Sequence, residues 1–163
     1  KDVDGLTENS PFLPATAQAV MTIVSLAEKQ LKLPNKPTAF VVGSKGMVGK
    51  AVMKAFREKG IEVNGFDIED YQYKLTKVSV NLTSTADILV SATGTPFLIR
   101  NRHVKPHAIV IDVGSPKGDV EFEGASKRAD FITPVPGGVG PVTVLSLIQN
   151  VVKAASLQEN LTI

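Results

Sequence analysis

The sequence predicts an α/β protein: a doubly wound, mainly parallel sheet with helices on both faces. Three observations carry this. Short β-rich runs alternate with helically periodic stretches. Each run ends in small residues, at Gly43, at Ala92 to Gly94, at Gly114 and at Pro136-Gly137-Gly138. A turn with regularly spaced glycines joins the first run to the helix behind it. In such sheets ligands bind outside the carboxyl ends of the strands. Small residues there let the backbone approach a ligand, so the carboxyl edge is the expected site.

The elements follow in order. Residues 1–13 are irregular, with Gly5, Asn9 and Pro11 supplying turn chemistry. Pro14 opens a helix over about 14–32, since Val20, Ile23, Val24, Ala27 and Leu31 recur at helical spacing and Pro34 and Pro37 close it. Thr38 to Val42 is a continuous apolar run of the kind buried on both faces of a parallel sheet. A helix carrying Val48, Val52, Ala55 and Phe56 follows and stops at Gly60. Ile61 to Phe66 is the second strand, Asp87 to Ser91 the third, Ala108 to Asp112 the fourth and Phe131-Ile132 a short fifth. Residues 68–85 are polar, with Tyr71 and Tyr73, and fit a helix, an edge strand or a loop. The last helix is expected from about Pro141 to Ser156, with Val144, Leu147, Ile148, Val151 and Val152 on one face.

Composition narrows the function. The 163 residues are 43% hydrophobic and 21% charged, which suits one domain, and the net charge of +2 gives no electrostatic basis for nucleic-acid binding. The absence of Cys excludes disulfides, thiolate metal sites and a Cys nucleophile. His103 and His107 are the only histidines, so no H-E-x-x-H zinc site is present; flanking Lys105-Pro106, they are expected to be solvated imidazoles. Ser44, Ser91 and Ser115 stand in no triad order with a His–Asp pair, and no carboxylate pair stands out as an acid–base couple. No apolar run approaches the roughly 18 residues of a membrane span, and no signal peptide opens the chain, so the cytoplasm is the expected compartment. The Asn81-Leu82-Thr83 and Asn160-Leu161-Thr162 sequons carry no meaning without secretion. The chain opens on Lys1, which leaves room for sequence upstream.

Two segments point to a dinucleotide. Gly43-Ser44-Lys45-Gly46-Met47-Val48-Gly49 has the spacing G-x-x-G-x-x-G between a strand and a helix, a Rossmann-like arrangement. Gly43 permits the tight turn, Gly46 keeps the backbone bare beside a pyrophosphate, and Gly49 allows close helix–sheet packing. The helix start offers unpaired N–H groups to phosphate. Asp67 closes the second strand about 20 residues on, where an acid takes ribose hydroxyls and repels a 2′-phosphate. It favours NAD over NADP, supported by Glu69 and Asp70, whereas Lys45 favours NADP. The second segment, Pro134 to Thr143, holds three Gly and three Pro. It fixes a backbone shape leading into the last helix, whose first-turn N–H groups lack partners. The chain thus shows a cofactor site and no evident catalytic side chain, the pattern of a domain whose chemistry is completed elsewhere.

These segments, with Lys1-Asp2-Val3-Asp4-Gly5, Pro14-Ala15-Thr16 and Val110-Ile111-Asp112-Val113-Gly114, occur in the order of a known family. The chain resembles the methylenetetrahydrofolate dehydrogenase/methenyltetrahydrofolate cyclohydrolase family over essentially its whole length. It looks like that family's NAD(P)-binding domain, residues 1–163, without the catalytic domain that holds the catalytic Lys and its Tyr partner. The resemblance implies that Asp4 contacts the pterin and that Gly43, Ser44 and Lys45 bind the cofactor phosphates, with Gly46 to Gly49 completing the loop. It implies that Ala92, Gly94 and Ser115 border the cofactor. Pro136, Gly137, Gly138, Val139 and Gly140 would lie between folate and nicotinamide, and Thr143 would hold the cofactor at the helix start. It also implies a homodimer formed through this domain, with residues 68–85 involved, and first and last helices that pack on the catalytic domain. The chain departs from the family at Ser44-Lys45, where G-R-S is common, at Asp67, at Pro14-Ala15-Thr16-Ala17 in place of P-C-T-P, and in a shorter segment after Gly114. The missing loop Arg and Asp67 both favour NAD.

The expected function is therefore orientation of NAD or NADP against a folate in an oxidoreductase that forms the methenyl compound and also hydrolyses it. The rival readings are a stand-alone dinucleotide-binding or regulatory module, and another Rossmann-type enzyme such as a methyltransferase, against which the Pro136–Gly140 segment counts.

Overall fold

The computed structural model describes residues 2–7, 10–67 and 77–159. Five parallel strands form one sheet: β1 Thr38–Val42, β2 Glu62–Phe66, β3 Ile88–Ser91, β4 Ile109–Asp112 and β5 Phe131–Ile132, in the order β2-β1-β3-β4-β5. The helices are α1 Ala15–Gln30, α2 Met47–Glu58, α3 Lys77–Thr83, α4 Phe122–Ala125 and α5 Val139–Glu159, with a 3-10 turn at Asn101–His103. The direction of winding reverses between β1 and β3, which makes their carboxyl ends the switch point of the sheet. Val42 is level with Phe66 and Ser91, and Ser91 with Asp112, so four strands finish on one line.

The apolar runs of the strands divide by the period of two. Ala39, Val41, Ile88, Val90, Ile109 and Ile111 point into a core shared with Val20, Val24 and Ala27 of α1 and Val52 and Phe56 of α2. Phe40, Val42, Leu89 and Val110 point the other way, against Ile99, Val104, Val120 and Ala125. Burial on both faces is why these strands carry almost no polar alternation. Gly60, in the left-handed region at φ +77°, stops α2 as expected.

Several expectations need correction. α5 begins at Val139, not Pro141. Proline is tolerated in a first turn because its missing N–H would have no intrahelical partner there. Of residues 68–85, 77–83 form α3, while 68–76, with Glu69, Asp70, Tyr71 and Tyr73, lie outside the described residues, as do Lys1 and the 160–162 sequon. His103 is fully buried. Its Nδ1 accepts the Arg100 N–H at 2.8 Å, which folds the ring into its own turn. Only His107 is exposed as expected, paired with Asp130 at 3.0 Å. The apolar face of α5 is where the periodicity puts it, and it faces outward, which contradicts no expectation. Val144, Ile148, Val151 and Val152 are exposed, while Ser146, Asn150 and Ala154 are buried. Asn150 donates to the Val3 and Leu13 carbonyls, and α5 lies along α1.

At the amino edge, opposite the site, Asp87 accepts the Thr38 N–H at 2.9 Å and pairs with Lys105 at 2.6 Å. Burial pushes Asp87 upward, but the Lys105 and Thr38 bonds outweigh it and hold the carboxyl below its usual range.

Two outcomes are expected. A Cβ at Gly49 would run into the Gly43 carbonyl and lie 2.9 Å from Ser44 Cα. Gly49→Ala should therefore lose about 2 kcal/mol in urea unfolding. Burial holds His103 at about 4 rather than 6.5, so the fold binds it neutral while the unfolded chain takes up a proton below pH 6.5. Stability should be whole above pH 6.5 and fall toward pH 4, by about 3 kcal/mol in all. His103→Asn, which keeps an acceptor for the Arg100 N–H, should lack that slope in melts run across the same interval.

Candidate functional site at the carboxyl edge

The glycine turn leaves β1 at Gly43, where both a φ of +85° and the Ala92 carbonyl that a Cβ would strike require glycine. The Gly43 and Ser44 N–H groups donate to the Phe66 carbonyl at 2.9 and 3.2 Å, fastening the turn to β2. Gly46 is the N-cap of α2 and gives no side-chain cap, so the N–H groups of Met47, Val48 and Gly49 open the helix without one. Lys45, Gly46 and Met47 are exposed and Gly49 is buried, as a phosphate cradle over close helix packing requires. Asp67 stands beside this turn, where its Oδ2 accepts the Lys45 N–H at 3.2 Å. Ala92, the first residue after β3, lies against Gly43. Among the described residues the structure thus brings Gly43 to Gly49, Asp67 and Ala92 to one corner, while no contact ties Gly94 to it, and that corner fits a dinucleotide's phosphates and ribose.

A second part of the edge surrounds a cavity of about 580 Å³. Its lining takes in Thr16 of α1, Asp112 to Pro116 after β4, and Pro134 to Pro141 with Thr143 at the start of α5. Ser115, Pro136, Gly137, Gly138, Val139, Gly140 and Thr143 all line this cavity. The peptide bonds before Pro116 and Pro136 are cis. Thr143 Oγ1 donates to the Val139 carbonyl at 3.1 Å. Asp4 is exposed and does not line this cavity.

Two buried carboxylates underlie the second part, and sequence reasoning missed both. Asp112 is 3% exposed and Asp119 fully buried. Asp112 Oδ1 accepts the N–H groups of Gly114 and Asp119 at 2.8 and 3.0 Å, and Oδ2 that of Val120 at 2.9 Å. Asp119 Oδ2 accepts Ser91 Oγ, Thr93 N–H and Thr93 Oγ1 at 2.9, 2.7 and 2.9 Å. The Asp112 N–H donates to Thr133 Oγ1 at 2.8 Å, which adds the end of β5. Burial, the largest influence, pushes Asp112 above the usual carboxylate range; its three N–H bonds pull it down and the neighbouring Asp119 raises it further. The one signal in the sequence was an acid closing an otherwise apolar strand. Asp119, distant in sequence from its partners, gave none.

Comparison with known proteins fits this geometry. Residues 14–159 match the family model described as tetrahydrofolate dehydrogenase/cyclohydrolase, NAD(P)-binding domain. The bifunctional protein FolD of Hydrogenobaculum sp. is 41% identical over 94% of this chain, and the chain spans 58% of that relative's length. The structure of bifunctional FolD from Campylobacter jejuni superposes with a TM-score of 0.83 at 34% identity, over 97% of this chain and 59% of that one. The Trypanosoma brucei enzyme complexed with NADP cofactor and inhibitor matches with a TM-score of 0.79 at 33% identity, over 93% and 57%. The chain belongs to the tetrahydrofolate dehydrogenase/cyclohydrolase family, and its residues 14–159 match that family's NAD(P)-binding domain.

Proposed function

We propose that this chain holds NAD or NADP, with NAD preferred, for an enzyme that oxidises 5,10-methylenetetrahydrofolate to the methenyl compound and hydrolyses that product to 10-formyltetrahydrofolate. The observation that carries the reading is one sheet edge with a glycine turn and strand-end acid at one end and the Pro134–Pro141 cavity at the other. When bound, the dinucleotide supplies a hydride acceptor at nicotinamide C4. The first-turn N–H groups of α2 take its phosphates, and Asp67 takes the ribose hydroxyls. Pro136 to Gly140 form a stiff wall that fixes the facing angle of ring and folate and keeps water from between them. Thr143, at the start of α5, steadies the ring end.

The rest of the enzyme is proposed to be a catalytic domain of the same protein, since the chain spans 58% of its relative's length. The outward face of α5, with Val144, Leu145, Ile148, Val151 and Val152 each about half exposed, is the surface such a domain would cover. Asp4 would meet the folate from this chain's side of the interface. A cytoplasmic homodimer completes the reading; no helix among the described residues is long and apolar enough to cross a membrane.

The preference for NAD rests on charge. Asp67 lies against the glycine turn, and a 2′-phosphate there would meet its carboxylate, while Lys45 on the same turn acts in the opposite sense. Side-by-side calorimetric titration of the chain with NAD+ and NADP+ should show the tighter constant for NAD+. Asp67→Ala should shift that preference toward NADP+ by about tenfold. Tighter NADP+ binding by the unaltered chain would leave the folate reading intact and overturn the role given to Asp67. The chain by itself should turn over neither methylene- nor methenyltetrahydrofolate in a spectrophotometric assay; measurable turnover would place catalytic groups within these residues.

A further inference from the structure

Asp119 does more than brace a loop. Its Oδ2 takes three hydrogen bonds, but its Oδ1 is fully buried and takes none. A buried polar atom left without a partner is costly, and more so when it belongs to an acid. Among the described residues neither Asp119 nor Asp112 has a Lys, Arg or His ion partner; the ion pairs lie elsewhere, at Lys54–Glu58, Lys59–Glu28, Lys105–Asp87 and His107–Asp130. In all six side-chain hydrogen bonds of the two carboxylates, the carboxylate oxygen is the acceptor.

The orphaned oxygen is buried directly behind Gly114. A Cβ built on Gly114 would lie 2.7 Å from Asp119 Oδ1, and Gly114 itself lines the cavity. Only a bare glycine backbone separates the two. Asp112 lines the same cavity directly. With the phosphates at the end of β1 and the ribose acid at the end of β2, a bound dinucleotide runs across the switch point toward β3 and β4. Its ring end would then lie beside Asp112 and Gly114, with Asp119 just behind. This placement rests on the function proposed above.

We infer that Asp119, seconded by Asp112, sets the charge preference of the ring half of the site, favouring the oxidised nicotinamide, whose ring is cationic, over the reduced ring, which is neutral. The oxygen that no protein group satisfies is answered by the cation that the cavity receives. Gly114 serves the same end, because a side chain there would strike Asp119 and push it away from the cavity wall. The effect is strong because a charge a few ångströms away through protein is weakly screened.

The test compares NAD+ and NADH binding to the full 163-residue chain. The unaltered chain should bind NAD+ at least as tightly as NADH; tighter NADH overturns the inference. Asp119→Asn, of nearly the same shape, should lower the preference for NAD+ over NADH by about tenfold, with NADH binding kept. Ser91→Ala removes one hydrogen bond from the same carboxylate but no charge, and should leave the ratio where it was. A merely structural role would weaken both dinucleotides together in both variants. An unmoved ratio in Asp119→Asn overturns the inference, and should that variant fail to fold, Asp112→Asn carries the same comparison. If the unaltered chain bound neither dinucleotide, the proposed function itself would fall, an outcome distinct from binding with an unmoved ratio.

Discussion

Asp112 and Asp119 tie together backbone from four stretches of chain. Their bonds reach Ser91 at the end of β3 and Thr93 after it, Gly114 after β4, Val120 before α4, and, through the Asp112 N–H, Thr133 after β5. The loops of a parallel sheet's carboxyl edge have no ladder partners of their own, so their shape has to come from side chains. Here two carboxylates supply it. Removing either would leave several buried N–H and O–H groups unpaired, each at a cost comparable to a lost hydrogen bond. The cavity between β4, β5 and α5 keeps its outline because that edge is held from below.

The two ends of the edge are built on opposite plans. At β1 and β2 the work is done by backbone: a turn of glycines, the uncapped start of α2, and one acid whose oxygen accepts the turn's own N–H. At β4 and β5 it is done by buried side chains beneath a wall of prolines and glycines. The first plan suits phosphates, which accept from many amides at once. The second suits a flat ring, which offers few hydrogen bonds and is placed by shape and charge.

The alternation of strands and helices was legible because each strand is buried on both faces and so reads as an unbroken apolar run. The glycine turn was legible because three glycines at that spacing have few other uses. Pro141 hid the true start of α5, since a proline there looks like the first residue rather than the third of a helix. α4, at four residues, is shorter than the period needed to see it. His103 was misread because its burial comes from a bond to its own turn, three residues away, which no hydrophobic pattern records. Asp119 was invisible for the opposite reason. Its partner Ser91 is 28 residues off, and only the folded sheet brings them together.

The outward valines of α5 have a thermodynamic consequence. A helix that hides Ser146 and Asn150 and shows Val144, Ile148, Val151 and Val152 to solvent is, on the proposed reading, the surface that the rest of the enzyme covers. Whatever docks on that stripe binds the folded domain and not the unfolded chain. By mass action its binding free energy adds to the stability of the fold. On that reading the melting temperature of this domain would rise with the concentration of the docked surface. Covalent linkage of the two parts in one polypeptide would hold that concentration permanently high.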